Sequence, residues 1–209
     1  MITIGIVAHE QRRTIAEQLA ATVNAHIVSI DNGTLGCDNN HKRVYSELAQ
    51  SDTEWVCVLE DDVVPVITFT GQLHKIATVA PTNIVSLYAG RTRPPQFQAR
   101  LGQAIHKAEE NNCCFITADR LLSAQGVLIR TALIPDMLAN LKRWLPIDEA
   151  ISRWAQRAHH LIAYTVPSII EHRDLPTLIR HRDNKPRPPG RTAWTVGTRS
   201  TWTADTIPW

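Results

Sequence analysis

The chain is poor in the features that mark disulfide-framed, membrane-spanning or fibrous proteins. Only four cysteines occur in 209 residues, at positions 37, 57, 113 and 114. None forms a C-x-x-C pair, and neighbouring Cys113 and Cys114 seldom reach disulfide geometry. That usage argues against a disulfide scaffold and fits a reducing, cytoplasmic setting. No apolar run approaches the roughly 18 residues of a membrane span, so no membrane partner is expected. Met1-Ile2-Thr3-Ile4-Gly5-Ile6-Val7 carries neither a basic lead-in nor a small-residue cleavage site, so the protein is expected to be unexported. Internal repeats and long low-complexity tracts are absent too. Net charge is only +2 and the pI about 8.4, so whole-chain electrostatics do not single out nucleic acid.

Hydrophobic residues make up 44% of the chain, enough for one sizeable core. Ile2–Ala8 is a β-branched run, followed by Arg12–Val23 with Ile15, Leu19 and Val23 at helical spacing. His26–Ile30 is a second strand, ended by Asp31-Asn32-Gly33, and a helix over about Asn40–Gln50 follows. Trp55–Leu59 is a continuous apolar strand, as in a sheet buried on both faces. A helix over Phe69–Val79 and a strand over Ile84–Tyr88 continue the alternation. The pattern predicts an α/β fold with a doubly wound, mostly parallel sheet. From Gly90 to Asn112 the chain turns polar. It then gives short runs at 114–117 and 124–129, helices over 132–144 and 148–159, and a strand over 162–166. Residues 1–180 are read as one domain, with a ligand-binding half over 1–90 and a second half over 91–180. Residues 181–209 are read as an irregular, basic, Pro/Trp-rich tail.

Ligands of open parallel sheets sit at the carboxyl ends of the strands. Those ends carry Ala8, His9 and Arg12 after the first strand, Asp31 and Asn32 after the second, Glu60-Asp61-Asp62 after the third, and Arg91 and Arg93 after the fourth. Three consecutive carboxylates repel one another and resist dehydration unless a cation offsets them. Hard divalent ions such as Mn²⁺ or Mg²⁺ suit such oxygen donors, with phosphate oxygens completing the shell. The plainer alternative is that Asp61 or Asp62 caps a helix or forms an Asx turn before Pro65. Asn39, Asn40, His41 and Arg43 open a helix after Gly36. They would suit a diphosphate at a helix amino terminus, or simply supply its cap.

Trp55-Val-Cys-Val-Leu-Glu-Asp-Asp62 resembles the Asp-x-Asp region of GT-A-fold glycosyltransferases, especially the lipooligosaccharide-type family 25, although a glutamate leads it. The segments Ser29–Cys37 and Val166–Asp174 are also similar to small glycosyltransferases of actinobacterial phages. The resemblance spans most of residues 2–180. It implies a metal-dependent transferase using a nucleoside-diphosphate sugar, with 1–90 as the nucleotide-sugar half and 91–180 as the acceptor half. By the same resemblance Asp62, with or without Asp61, would bind Mn²⁺ or Mg²⁺, and His172 would complete the metal shell. Glu60 would lie near the ribose or sugar. Ala8, His9, Arg12 and Asp31 would grip the nucleotide, with Asn39, Asn40, Arg43 and Arg91 adding phosphate or donor contacts. Asp148 or Glu149, opening a helix after Pro146, resembles the general base of inverting members.

From Arg173 onward the chain holds six arginines and one lysine against three aspartates, a local +4. Arg187, Arg191 and Arg199 alternate with Trp194, Trp202 and Trp209, a mixture suited to phosphates and bases or to packing over the donor. The expected acceptor is a macromolecular hydroxyl. Hydroxymethylated pyrimidine in phage DNA is favoured over a phage structural protein, and the expected location is then the infected host cell.

Overall fold

The computed structural model describes residues 1–178 and 189–209. Arg187 and the Pro-rich run 184–188 lie outside them. An eight-stranded sheet forms the centre. Its strands are β1 (Ile2–His9), β2 (Ile27–Asp31), β3 (Trp55–Glu60), β5 (Ile84–Ser86), β6 (Phe115–Ala118), β7 (Gly126–Arg130), β8 (Ile162–Thr165) and β10 (Thr206–Pro208), in the order β10-β6-β8-β5-β7-β3-β1-β2. β1, β2, β3, β5 and β8 run one way; β7, β6 and β10 run against them. The mostly parallel, doubly wound α/β sheet expected from the sequence is present. A separate ribbon pairs β4 (Val63–Pro65) with β9 (Ile170–His172), setting Val63 opposite His172.

Strand pleating sends alternate residues into two cores. Ile4, Ile6 and Ala8 of β1 and Trp55, Cys57 and Leu59 of β3 meet α1 (Arg13–Val23) and α3 (Phe69–Val79). Val7, Val56 and Val58 face α2 (Cys37–Leu48), α4 (Gln98–Glu110), α5 (Ile134–Asn140) and α6 (Ile147–Arg157). Helix α2 packs directly on β1 because Gly5 has no side chain: a Cβ there would lie 2.6 Å from Val44 Cγ1 and 3.0 Å from Leu48 Cδ1.

The structure departs from the sequence reading in three places. The polar stretch 90–112 contains α4, which buries Leu101, Ala104, Ile105 and Ala108 at helical spacing. The helix expected over 132–144 ends at Asn140, because Leu141 turns extended to bury its side chain and leaves Trp144 67% exposed. Ribbon strands β4 and β9 are too short to give a periodic signal.

The described part of the tail wraps the sheet. Ala193 bridges Gly90, Val196 bridges Ser168, and Thr206–Pro208 becomes the edge strand beside β6. Among the described residues no helix is long and apolar enough to cross a membrane.

Candidate active site

The acidic triplet is divided where β3 ends, with Glu60 as its last residue and Asp61 and Asp62 in the turn that follows. Glu60, the last residue of β3, projects on the same side as Val58, toward α2. Asp61 projects on the Leu59 side, toward the turn that follows β1.

On that side His9 and Arg12 meet the acids. His9 caps a 3₁₀ turn, Glu10–Arg12, by accepting from Gln11 N through Nδ1. Its own backbone N–H donates to Asp61 Oδ2 at 2.8 Å. The turn aims Arg12 between the two aspartates: Nη1 lies 2.9 Å from Asp61 Oδ1 and 2.6 Å from Asp62 Oδ2. Nη2 donates to Pro176 O at 2.8 Å. The ribbon adds His172, buried at the end of β9, whose Nε2 is 3.3 Å from Asp62 Oδ2. His172 Nδ1 accepts from Asp174 N at 2.9 Å, so its ring proton sits on Nε2 and points at Asp62. In this arrangement His172 orients the carboxylate by donating to it. Asp62 Oδ1 is buried and has no hydrogen-bond partner among the described residues.

Burial alone would raise the Asp62 carboxyl, but the His172 and Arg12 contacts outweigh it and hold Asp62 below the ordinary range. At Asp61 burial prevails over the His9 and Arg12 hydrogen bonds, and its carboxyl is raised. Arg12 shows the converse balance, its burial being outweighed by the two aspartates, which raise it.

On the opposite face Glu60 meets the start of α2 and the start of α6. Its Oε1 lies 3.5 Å from Nε2 of fully buried His41. Burial, then the charges of Asp62, Asp61 and Asp148, push Glu60 well above the usual carboxylate range. Asp38 Oδ1 accepts from Ile147 N at 2.9 Å and ties the two helix starts together. That tie sets Asp148 in the first turn of α6, where burial raises its carboxyl to about 6 against the hydrogen bond from Glu149 N.

The remaining predicted residues are arranged around this centre with their polar atoms largely engaged. Asp31 folds the β2–α2 loop about itself, accepting from Leu35 N at 2.9 Å and Gly36 N at 2.8 Å, bonds that lower its pKa. Asn40 locks β1, β2 and α2 together, donating to Ala8 O and Ser29 O and accepting from Ser29 Oγ. Asn39 donates to Leu35 O and Arg43 pairs with Glu47 on the exposed side of α2. Because α2 begins at Cys37 with Gly36 as its cap, neither asparagine is the cap residue. Arg91 donates to Ala193 O and Trp194 O and lies over the Trp194 ring, so it anchors the tail.

Sequence reasoning passed over Cys37 and Asp38, the latter being visible only once α2 and α6 are known to meet. It also passed over Gln72, which holds the tail by donating to Arg199 O and accepting from Arg199 N and Trp202 Nε1.

A doubly wound sheet that gathers paired acids, a guanidinium and an imidazole at its strand ends places a ligand site where such sheets carry one. The chain belongs to glycosyltransferase family 25 (LPS biosynthesis protein), whose model matches residues 7–151. That span runs from β1 through Asp148. The protein is thus a glycosyltransferase, an enzyme that works between a nucleotide-sugar donor and an acceptor. Among solved structures it is similar to A197 from STIV, with a TM-score of 0.49 and 12% identity over 82% of this chain and 85% of that one. It is also similar to the inositol-1-phosphate CTP transferase from T. maritima, with a TM-score of 0.39 and 7% identity over 78% and 65% of the two chains. No curated protein matches it.

Proposed function

We propose that the protein moves a sugar from a nucleoside-diphosphate donor, UDP-linked, to a hydroxyl on a macromolecular acceptor, with Mn²⁺ or Mg²⁺ held at Asp62. The observation that carries this reading is Asp62 Oδ1, a buried carboxylate oxygen with no hydrogen-bond partner among the described residues, beside a clamp of Arg12 and His172. A hard divalent ion needs only one or two protein carboxylates, so this oxygen fits it, with His172 holding the carboxylate in place. When bound, such an ion supplies Lewis-acid stabilisation of the departing diphosphate.

The protein's own groups do the rest. Arg12 is placed to exchange part of its carboxylate pairing for phosphate oxygens, and the strand-end residues Ala8, His9 and Asp31 border the nucleotide. Asp148, with a carboxyl near 6, is largely ionised at neutral pH and is assigned as the base. It takes the proton of the acceptor hydroxyl as that oxygen bonds to the anomeric carbon and the bond to the diphosphate breaks. This outcome inverts the anomeric centre.

For the acceptor, the basic stretch from Arg173 favours hydroxymethylated pyrimidine in phage DNA. Arg191 and Arg199 are engaged within the fold. Among the described residues of the stretch, Arg173 has an exposed side chain, and its backbone N–H donates to Asp62 O at 2.8 Å, which sets it beside the site. The test is transfer of radiolabelled sugar from a panel of nucleoside-diphosphate sugars, with Mn²⁺, to hydroxymethylated duplex and, separately, to phage structural protein. Label on the duplex supports the reading. Label on protein alone overturns the acceptor, and absence of binding to any nucleotide donor overturns the function.

A further inference from the structure

The triplet's other face holds a second set of donors. Cys37, His41 and Glu60 bring one sulfur, one nitrogen and one oxygen within 4.8 Å of one another, with Cys37 Sγ 3.6 Å from His41 Nδ1 and Glu60 Oε1 3.5 Å from His41 Nε2. They come from the first and second turns of α2 and from the end of β3.

His41 is the telling member. Its Nδ1 lies 3.0 Å from Cys37 O, and a carbonyl can only accept, so the ring proton sits on Nδ1. Nε2 therefore carries a bare lone pair. It is fully buried, has no hydrogen-bond partner among the described residues, and faces a carboxylate oxygen 3.5 Å away. Two lone pairs facing each other out of water are unfavourable unless a proton or a metal ion lies between them, and of the two only a metal ion would also engage the Cys37 sulfur. A histidine whose other nitrogen donates to a backbone carbonyl is also the arrangement found at metal-bound imidazoles, where that bond fixes the tautomer and aims the ligand nitrogen.

We propose that Cys37 Sγ, His41 Nε2 and Glu60 Oε1 bind a borderline-soft divalent ion of the Zn²⁺ class, with a fourth coordination position left open. The donor set decides the class. A thiolate and an imidazole favour zinc over Mg²⁺ or Ca²⁺, and three protein ligands with one open position are a common zinc arrangement. Without metal, burial and nearby carboxylates keep the Cys37 thiol protonated; zinc binding releases that proton. The half-buried sides of Cys37 and Glu60 leave an approach from the sheet end. The ion fastens the start of α2 to β3 on the face opposite Asp61, and it shares no ligand with the ion assigned to Asp62.

The experiment uses the full chain, stripped with a chelator, reloaded with Zn²⁺ and dialysed, with bound metal counted by elemental analysis. In parallel it is loaded with Co²⁺, whose thiolate complex absorbs in the near ultraviolet. Wild type and Asp62→Ala are expected to retain one zinc per chain and to show the cobalt–thiolate band. Cys37→Ser should lose the band and bind zinc at least about tenfold more weakly. His41→Gln should weaken zinc similarly, but because His41 is buried, half-exposed Cys37 provides the reading least open to misfolding. A wild-type protein without the band, or a folded Cys37→Ser that keeps zinc as tightly as wild type, overturns the proposal. Loss of zinc in Asp62→Ala with retention in Cys37→Ser also overturns it, because the ion would then belong to the other face.

Discussion

Arg12 is the single side chain on which two buried carboxylates depend. Its side chain is 13% exposed, and those of Asp61 and Asp62 are 7%. Arg12→Ala leaves both acids buried without their main counter-charge, and we expect a loss of about 3 kcal/mol by urea denaturation. Arg12→Lys recovers only part, since a point charge cannot bridge two carboxylates as a guanidinium does. Asp148 behaves in the opposite sense, because burial raises its carboxyl to about 6. Its folded form holds the proton longer than the unfolded form. The associated stability is present below roughly pH 3.9, its unfolded pKa, and is lost as pH rises through about 6. Asp148→Asn should therefore melt higher than wild type at pH 7, by about 1–3 kcal/mol, with the difference vanishing near pH 4. As the proposed base, Asp148 should also give kcat/KM an acidic limb near pH 6 that the variant lacks. A variant that kept wild-type turnover would remove Asp148 from catalysis.

At the scale of elements, the first half was legible because its strands are long, apolar and separated by amphipathic helices. Ile2–His9 and Trp55–Glu60 announce themselves by composition, and their ends carry the polar residues that the site uses. Helix α4 was hidden by the prolines before it and by its polar face, although Leu101, Ala104, Ile105 and Ala108 repeat at helical spacing. The ribbon that delivers His172 to Asp62 was invisible for another reason: pairing between three-residue strands is fixed by tertiary contact and leaves no periodic trace. The same limit applies to the tail, whose tryptophans fit stacking on a ligand and packing on a core equally well. Trp202 is 5% exposed, lies against the Phe115 ring and donates to Gln72. Trp202→Ala should cost about 3–5 kcal/mol, the range for a truncated core aromatic. Gln72→Ala, which leaves the indole N–H unpaired, should cost about 1–3 kcal/mol. Denaturant midpoints of both variants measure this. Wild-type midpoints would mean that the tail is not part of the stable fold.

Across the whole molecule, the sheet sets one residue triplet between two chemistries. Asp61 and Asp62 face Arg12, His9 and His172, and Glu60 faces His41, Cys37 and, through the α2–α6 tie, Asp148. The sequence alone could place the triplet at a strand end but not say which acid faced which layer, because that depends on how the turn after β3 folds against the segment following β1. The measurement that bears most directly on the account is Mn²⁺-dependent release of nucleoside diphosphate from a UDP-sugar, compared between wild type and Asp62→Ala. Several kcal/mol of charge stabilisation at the leaving group corresponds to a loss of at least about a hundredfold in the variant. That loss is expected with the fold intact by circular dichroism. Equal rates in the two proteins, or equal rates with and without Mn²⁺ in wild type, would contradict it.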